Sequence, residues 1–135
     1  MVKEIAFRLH KGDDLRQSIE EKCVQLKIDT AIILSAVGCV YELNIRLADA
    51  REYLHLVRDH EIVSMTGTIS KGKAHLHISL SDDEGHCIGG HLEKGCLINT
   101  TCEVVLGILE DYVSERVFDE DTGYDEICFK EVDHD

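Results

Sequence analysis

Residues 74–81 constrain the fold more than any other part of this 135-residue chain, because apolar and polar side chains alternate there without interruption. A period of two is typical of a β-strand that buries one face. The turn-forming run Asp82-Asp83-Glu84-Gly85 follows, and residues 87–92 resume a strand pattern that Gly89-Gly90 interrupts. The sequence therefore predicts an antiparallel hairpin with one apolar face toward the core and one polar face away from it.

Three histidines lie on the polar face of this predicted hairpin. His75 and His77 are two residues apart, so both side chains project from the same side, with Cα atoms about 6.5–7 Å apart. If residues 82–86 form the loop, the register places His91 directly opposite His77. His75 is then diagonal to His91. A shift of one residue in register would separate His91 from the other two.

Three neutral imidazoles form a ligand set that suits Zn²⁺ or another borderline divalent ion. We therefore predict that His75, His77 and His91 bind a metal. Three protein ligands leave one coordination position open, as a catalytic or ligand-binding metal requires. The alternative, that the three are solvated side chains on an exposed strand face, stays open at this point.

Two acidic residues are candidate catalytic groups in such a site. Glu61 and Glu103 could serve as general bases beside the metal, or as carboxylates that orient the imidazoles. The hydroxyls of Ser79 and Thr101 are further candidates for the orienting role. His86 is expected to be a solvated residue of the turn, and the other histidines lack partners at metal-binding spacing; they are His10, His55, His60 and His134.

The remaining patterns predict one helix and, in total, six to eight strands. Asp13 is expected to be the N-cap of an amphipathic helix of about four turns. The apolar run 30–37 predicts a buried strand that ends at Gly38. The polar segment 48–60 predicts a loop or a short helix, and the apolar patch 127–129 predicts a last strand.

We expect a single domain over residues 1–135, of the α+β class, with a central, mostly antiparallel sheet and one main amphipathic helix. The chain has 27 Asp and Glu against 14 Lys and Arg, a net charge of −13, and its C-terminal segment from about residue 110 is especially acidic. No cluster of Lys and Arg is present. Direct binding to a nucleic-acid backbone is therefore disfavoured unless a partner supplies the basic surface.

The cysteines and the hydropathy pattern bear on the compartment. None of the six cysteines forms a CxxC pair, which favours free, reduced thiols. The chain opens without a signal-peptide pattern, and no apolar run approaches the ~20 residues of a transmembrane helix. We therefore expect a cytoplasmic protein with no membrane contact.

Several motifs together resemble a known family. They are EIVSMTGTI at 61–69, HLHISLSD at 75–82 followed by Gly85, GGHL at 89–92 followed by Gly95, and TCE at 101–103. RL at 8–9 and GDDL at 12–15 match the opening of that family, and FD at 118–119 with TGY at 122–124 matches its tail. Over nearly its whole length the chain resembles the PPC domain, the "plants and prokaryotes conserved" domain of unknown function, in its stand-alone prokaryotic form.

This resemblance implies an antiparallel α/β fold that assembles as a homotrimer. It also implies a metal site, because His75, His77 and His91 match histidines of prokaryotic members. Prokaryotic members are often labelled predicted DNA-binding proteins, and plant members carry AT-hooks. This chain has no proline and so no Arg-Gly-Arg-Pro hook.

Three functions follow as hypotheses. The first is a metal-binding homotrimer with a regulatory or DNA-associated role, exerted directly or through a partner. The second is a metal-dependent enzyme of the hydrolase or lyase type that acts on a small molecule. The third is a structural trimer whose histidines line an interface.

Overall fold

The computed structural model describes residues 3–133, which form one α-helix and nine β-strands. In chain order these are β1 (Lys3–His10), α1 (Leu15–Gln25), β2 (Thr30–Arg46), β3 (Tyr53–Leu56), β4 (His60–Ser70), β5 (Lys73–Ser81), β6 (Cys87–Leu92), β7 (Leu97–Ile108), β8 (Tyr112–Asp119) and β9 (Tyr124–Glu131). The predicted α+β class, with a central antiparallel sheet and one main helix, is confirmed.

Seven strands form the central sheet in the order β1-β7-β2-β4-β5-β6, with β3 paired to β2. Strand β2 also pairs with β6, through Ile45 with Leu92 and Arg46 with His91. Because β2 borders both β4 and β6, the strands β2, β4, β5 and β6 close into a ring. Strands β8 and β9 form a separate two-stranded hairpin.

The apolar face of β5 lies in the core, as its alternation predicts. Leu76, Ile78 and Leu80 are at most 4% exposed, and the helix α1 buries Leu15 and Ile19 completely. The opposite face of β5, which carries the histidines, is therefore directed away from the core. The single helix among residues 3–133 does not have the length and apolarity needed to cross a membrane.

The helix differs from the prediction at both ends. Its N-cap is Asp14, whose carboxylate accepts a hydrogen bond from the Gln17 amide, whereas the carboxylate of Asp13 accepts one from the His10 amide. The helix ends at Gln25, because Lys27 has a φ of 57° and turns the chain away. It therefore has three turns rather than four.

Two strand predictions also need correction. Residues 48–60 are neither a simple loop nor a helix, since they contain β3 and its pairing with β2. Gly38 does not end the preceding strand, because the absence of a side chain lets the Thr101 carbonyl of β7 approach the backbone of β2. The middle of β2 is not buried either: Leu34 and Val37 are 51% and 52% exposed.

The β8–β9 hairpin, which contains the predicted strand at 127–129, is fixed to the central sheet by a small polar network. The amide of Ser114 donates to the Asp29 carboxylate at 2.8 Å, and the Ser114 hydroxyl donates to Ser70 at 2.8 Å. Thr30 and Lys71 also donate to Asp29. Partial burial raises the pKa of Asp29, but the bonds from Lys71, Ser114 and Thr30 outweigh it and hold that pKa below its ordinary value.

We expect Asp29→Asn to lower the free energy of unfolding at pH 7 by about 1.5–3 kcal/mol, the usual contribution of hydrogen bonds to a charged group. Because the folded state lowers the pKa of Asp29, its stabilisation is present above the unfolded value of about 3.9 and is lost as pH falls through the folded value. Urea denaturation at pH 7 and near pH 3 measures both conditions. Glu110→Gln, an exposed control, should change stability little, and an equal loss for Asp29→Asn at both pH values would contradict the argument.

Candidate metal centre

The strand register brings the three histidines together as predicted. In the β5–β6 pair His77 lies directly opposite His91, and Ser81 opposite Cys87, so that residues 82–86 form the loop. One possible ligand nitrogen from each of His75, His77 and His91 lies within 4.8 Å of the others. Among residues 3–133 this is the only group of three or more His, Cys, Asp or Glu side chains with such geometry. His134 lies outside the described residues.

The distances fit a shared ion after small movements. The three imidazole centroids are 5.1, 5.3 and 5.7 Å apart, and the rings are inclined to one another. Tetrahedral Zn²⁺ with Zn–N bonds of 2.0–2.1 Å places its nitrogens about 3.3 Å apart. Rotations about the side-chain torsions of the two exposed rings, His75 and His77, would supply that approach.

Burial and neighbouring cations keep two of the imidazoles neutral. Burial, followed by the positive charge of Arg46, lowers the pKa of His91 to about 4. The pKa of His75 is lowered by burial, by His77 and by Arg116, while Glu126 acts in the opposite direction. A metal binds neutral imidazole, so at pH 7 it does not have to displace protons from either ring.

One atom of the cluster is left without a partner. The His91 side chain is only 15% exposed, and its Nδ1 is buried and makes no hydrogen bond with any of the described residues. Its Nε2 lies 3.8 Å from a carboxylate oxygen of Glu93. An unpaired buried ring nitrogen calls for an explanation, and a bound cation is one that this donor set fits.

Two glycines allow the strands to approach closely enough to build the cluster. A Cβ on Gly90 would lie 2.6 Å from the Arg46 carbonyl oxygen, so a side chain there would prevent β6 from closing on β2. On the other side of the hairpin, Gly67 of β4 pairs with Leu76, and its Cβ would lie 2.1 Å from the carbonyl oxygen of His75. The Gly89-Gly90 pair predicted as an interruption is thus a place of close backbone packing within β6.

The structure does not bring the two predicted acidic residues to the histidines. Glu61 pairs with Ser81, four residues along β5 from His77, which corresponds to about 13 Å. Glu103 lies on β7, where it pairs with Arg8 of β1 and Val37 of β2, and β7 does not border β5 or β6.

Of the two predicted hydroxyl residues, only one lies on the strand face that carries the histidines. Ser79 is on the same strand and face as His77, whereas Thr101 pairs with His10 at the β1–β7 edge.

Five other charged residues surround the cluster instead: Arg16, Arg46, Glu93, Arg116 and Glu126. Glu93 follows His91 by two residues, so the strand period could have identified it. Arg46 reaches His91 only through the closure of β6 on β2. Arg116 and Glu126 come from the β8–β9 hairpin, whose position no local sequence pattern indicates.

Comparison with known proteins identifies the family. Residues 1–110 match the Plants and Prokaryotes Conserved (PCC) domain. The chain belongs to the PCC-domain family. This confirms the resemblance to the PPC domain that the motifs carry, and the PCC fold is the antiparallel one described above.

Solved structures share this fold over almost the whole chain. A hypothetical protein from Salmonella enterica superposes with a TM-score of 0.93 at 28% identity, covering 97% of this chain and 95% of that one. A metal-containing protein from Archaeoglobus fulgidus superposes with a TM-score of 0.76 at 33% identity, covering 92% and 91%. A Bacteroides thetaiotaomicron protein whose description proposes DNA binding shares the fold at 20% identity, with a TM-score of 0.80 and 96% of each chain covered.

Two curated relatives are the bifunctional protein GlmU of two Synechococcus strains. They are 38% and 37% identical to this chain over 126 and 131 residues, or 93% and 97% of its length. The chain spans only about a fifth of those proteins, 20% and 21%. It is therefore similar to one part of a much longer polypeptide.

Proposed function

We propose that this PCC-domain chain binds one divalent metal ion, preferably Zn²⁺, through His75, His77 and His91, as a subunit of a homotrimer. The observation that carries the proposal is the convergence of three imidazole nitrogens within 4.8 Å on one strand pair. The metal-containing character of the Archaeoglobus relative, at 33% identity, supports it. A bound ion would supply a Lewis acid with an open coordination position.

The chain's own residues have distinct parts in this site. The three histidines are the ligands, and Glu93, beside Nε2 of His91, would hold that ring in one orientation. The glycines at 67 and 90 keep the strands close enough for the rings to converge. The shifted pKa values of His75 and His91 favour the neutral ligand form at physiological pH.

The homotrimer is supported by apolar side chains exposed outside the hairpin. Leu34 and Val37 of β2 and Val63 of β4 are each more than half exposed. Exposed apolar groups on neighbouring strands are typical of a surface that another subunit covers.

We also propose a cytoplasmic location for the protein. The six free cysteines support it, because thiols stay reduced in that compartment.

A DNA-associated role is the part of the family resemblance that this chain supports least. Its net charge of −13 opposes contact with a polyanion, and counterion release requires clustered cations. We therefore propose that any such role operates through a partner that supplies the basic surface.

A metal-dependent enzyme of the hydrolase or lyase type is the second candidate. It is favoured by the open coordination position and by a pocket beside the histidines that contains two arginines. In such an enzyme Glu93 and Glu126 have the positions that Glu61 and Glu103 were expected to have, since their charges lie next to His91 and His75.

Titration of the metal-free protein with Zn²⁺, followed by native mass measurement, tests the first proposal. We expect one ion per chain and a mass three times the 15.2 kDa of the chain. A double variant, Cys87→Ser with Cys128→Ser, removes the two exposed thiols and should leave the stoichiometry unchanged. Absence of zinc binding, or its loss in the double variant, would refute the histidine site, and a monomeric mass would refute the trimer.

A further inference from the structure

A pocket of about 320 Å³ lies beside the histidine cluster. It is lined by Arg46 of β2, His75 of β5, His91 of β6, and Arg116 and residues 124–126 of the β8–β9 hairpin. Its volume is at the small end of the range for ligand-binding pockets. The ligand that it fits is therefore a small molecule, and two of the proposed metal ligands, His75 and His91, line the same pocket.

The two arginines in this pocket are not neutralised. Nε of Arg46 and Nη2 of Arg116 are buried and make no hydrogen bond with residues 3–133. Within residues 3–133, neither guanidinium has a carboxylate oxygen within 4 Å. Nη1 of Arg116 donates a hydrogen bond to the backbone carbonyl oxygen of Asp125 at 3.5 Å. Arginine keeps its charge in proteins, and a buried donor without a partner costs free energy. Their partner is therefore to be sought in a ligand.

The acidic residues at the rim do not fill this role. Asp125 and Glu126 lie on β9, are exposed to solvent, and form no ion pair with either arginine. Carboxylates that remain solvated retain their hydration and leave the guanidinium donors free.

Arg46 also lies next to the proposed metal ligands. In the β2–β6 pair it is directly opposite His91, so one cation lies at the edge of the histidine cluster.

We propose that this pocket binds a small anion with at least two oxygens, such as inorganic phosphate or a short carboxylate. One oxygen occupies the open metal position and the others accept hydrogen bonds from Arg46 and Arg116. Guanidinium groups suit such anions because their fork of donors matches the spacing of two oxygens. The proposal rests on the metal site proposed above and names the ligand class of that site.

Calorimetric titration of the zinc-loaded protein with inorganic phosphate, and separately with malonate, tests the proposal. We expect at least one of the two to bind once per chain, and the comparison identifies whether the pocket prefers phosphate or carboxylate. Arg116→Met should weaken that binding about tenfold or more, the loss expected for a hydrogen bond between charged groups. Arg46→Met should weaken anion binding to the same extent, and it is the variant that tests the pocket if Arg116→Met does not fold.

Zinc content, measured on each variant, separates the two proposals. Arg8→Met, which removes an exposed arginine on β1, should bind the anion like the wild type, and Arg116→Lys should retain part of the affinity. If zinc binds but neither anion does, or if both arginine variants bind the anion like the wild type, the pocket proposal is wrong while the metal site stands. If zinc does not bind, both proposals fail.

Discussion

Replacing His77 with alanine should weaken Zn²⁺ binding by about a hundredfold or more. The apparent binding free energy of structural zinc, ~10–16 kcal/mol over four ligands, corresponds to about 3 kcal/mol for each ligand. His77 lies at the centre of the arrangement, since it is adjacent to His75 along the face and opposite His91 across the strand pair. Competition with a chromophoric chelator measures the change.

The fold should be unaffected by this replacement, because His77 is exposed and its strand is fixed by the buried residues on the other face. The free energy of unfolding of the metal-free variant should be within about 0.5 kcal/mol of the wild-type value. His55→Ala is the matched control, since His55 is also exposed on a strand and its Nε2 lies 3.1 Å from a Glu42 carboxylate oxygen. Zinc affinity that stays the same in His77→Ala, or falls equally in His55→Ala, would show that the histidine cluster is not the metal site.

Gly67→Ala should destabilise the protein by about 3–5 kcal/mol, which is in the upper range for single substitutions. Gly67 has a φ of 151°, and a Cβ there would lie 2.1 Å from the carbonyl oxygen of His75. The clash involves backbone, so it can be relieved only by separating β4 from β5, the strand that carries two of the three histidines. Urea denaturation gives the free energy of unfolding.

Gly85→Ala is the matched control, because it measures the cost of a positive φ without a steric clash. Gly85 has a φ of 82°, but a Cβ there would meet nothing within 4 Å. Its substitution should therefore cost only the conformational strain, about 1–2 kcal/mol. Equal losses in the two variants would mean that the close approach of β4 to β5 does not limit stability.

The sequence predicts the hairpin and its histidines well because the decisive interactions are local. The alternation in 74–81 determines which face of β5 is buried, and the length of the turn determines that His77 meets His91. Both depend on residues close together in the chain. The first strand, the helix and the class of the fold follow from the same kind of local periodicity.

The surroundings of the site could not be predicted in the same way. Arg46 reaches His91 because β2, 17 residues long, pairs along its length with β3, β4, β6 and β7. Arg116 and Glu126 reach the cluster because Ser114 and Asp29 attach the terminal hairpin to the sheet. These contacts depend on tertiary closure, which local sequence patterns do not reveal. Glu61 and Glu103 were chosen by residue type alone, and the structure places both away from the histidines.

The exposed apolar residues of β2 show a related limit. A run such as 30–37 indicates a strand, but it does not distinguish a core strand from one that a second subunit covers. The structure of one chain leaves Leu34 and Val37 half exposed. Hydrophobic patterning thus predicts that 30–37 forms a strand, but it predicts wrongly that the strand ends at Gly38 and that its middle is buried.

X-ray absorption at the zinc edge of the zinc-loaded protein tests the central claim most directly. Three histidine ligands predict imidazole nitrogens at about 2.0–2.1 Å, with the outer-shell scattering typical of three rings, and one or more additional oxygen ligands. Sulfur scattering at about 2.3 Å would instead assign the ion to cysteines. That result, or a first shell with fewer than three imidazoles, would contradict a metal centre built from His75, His77 and His91.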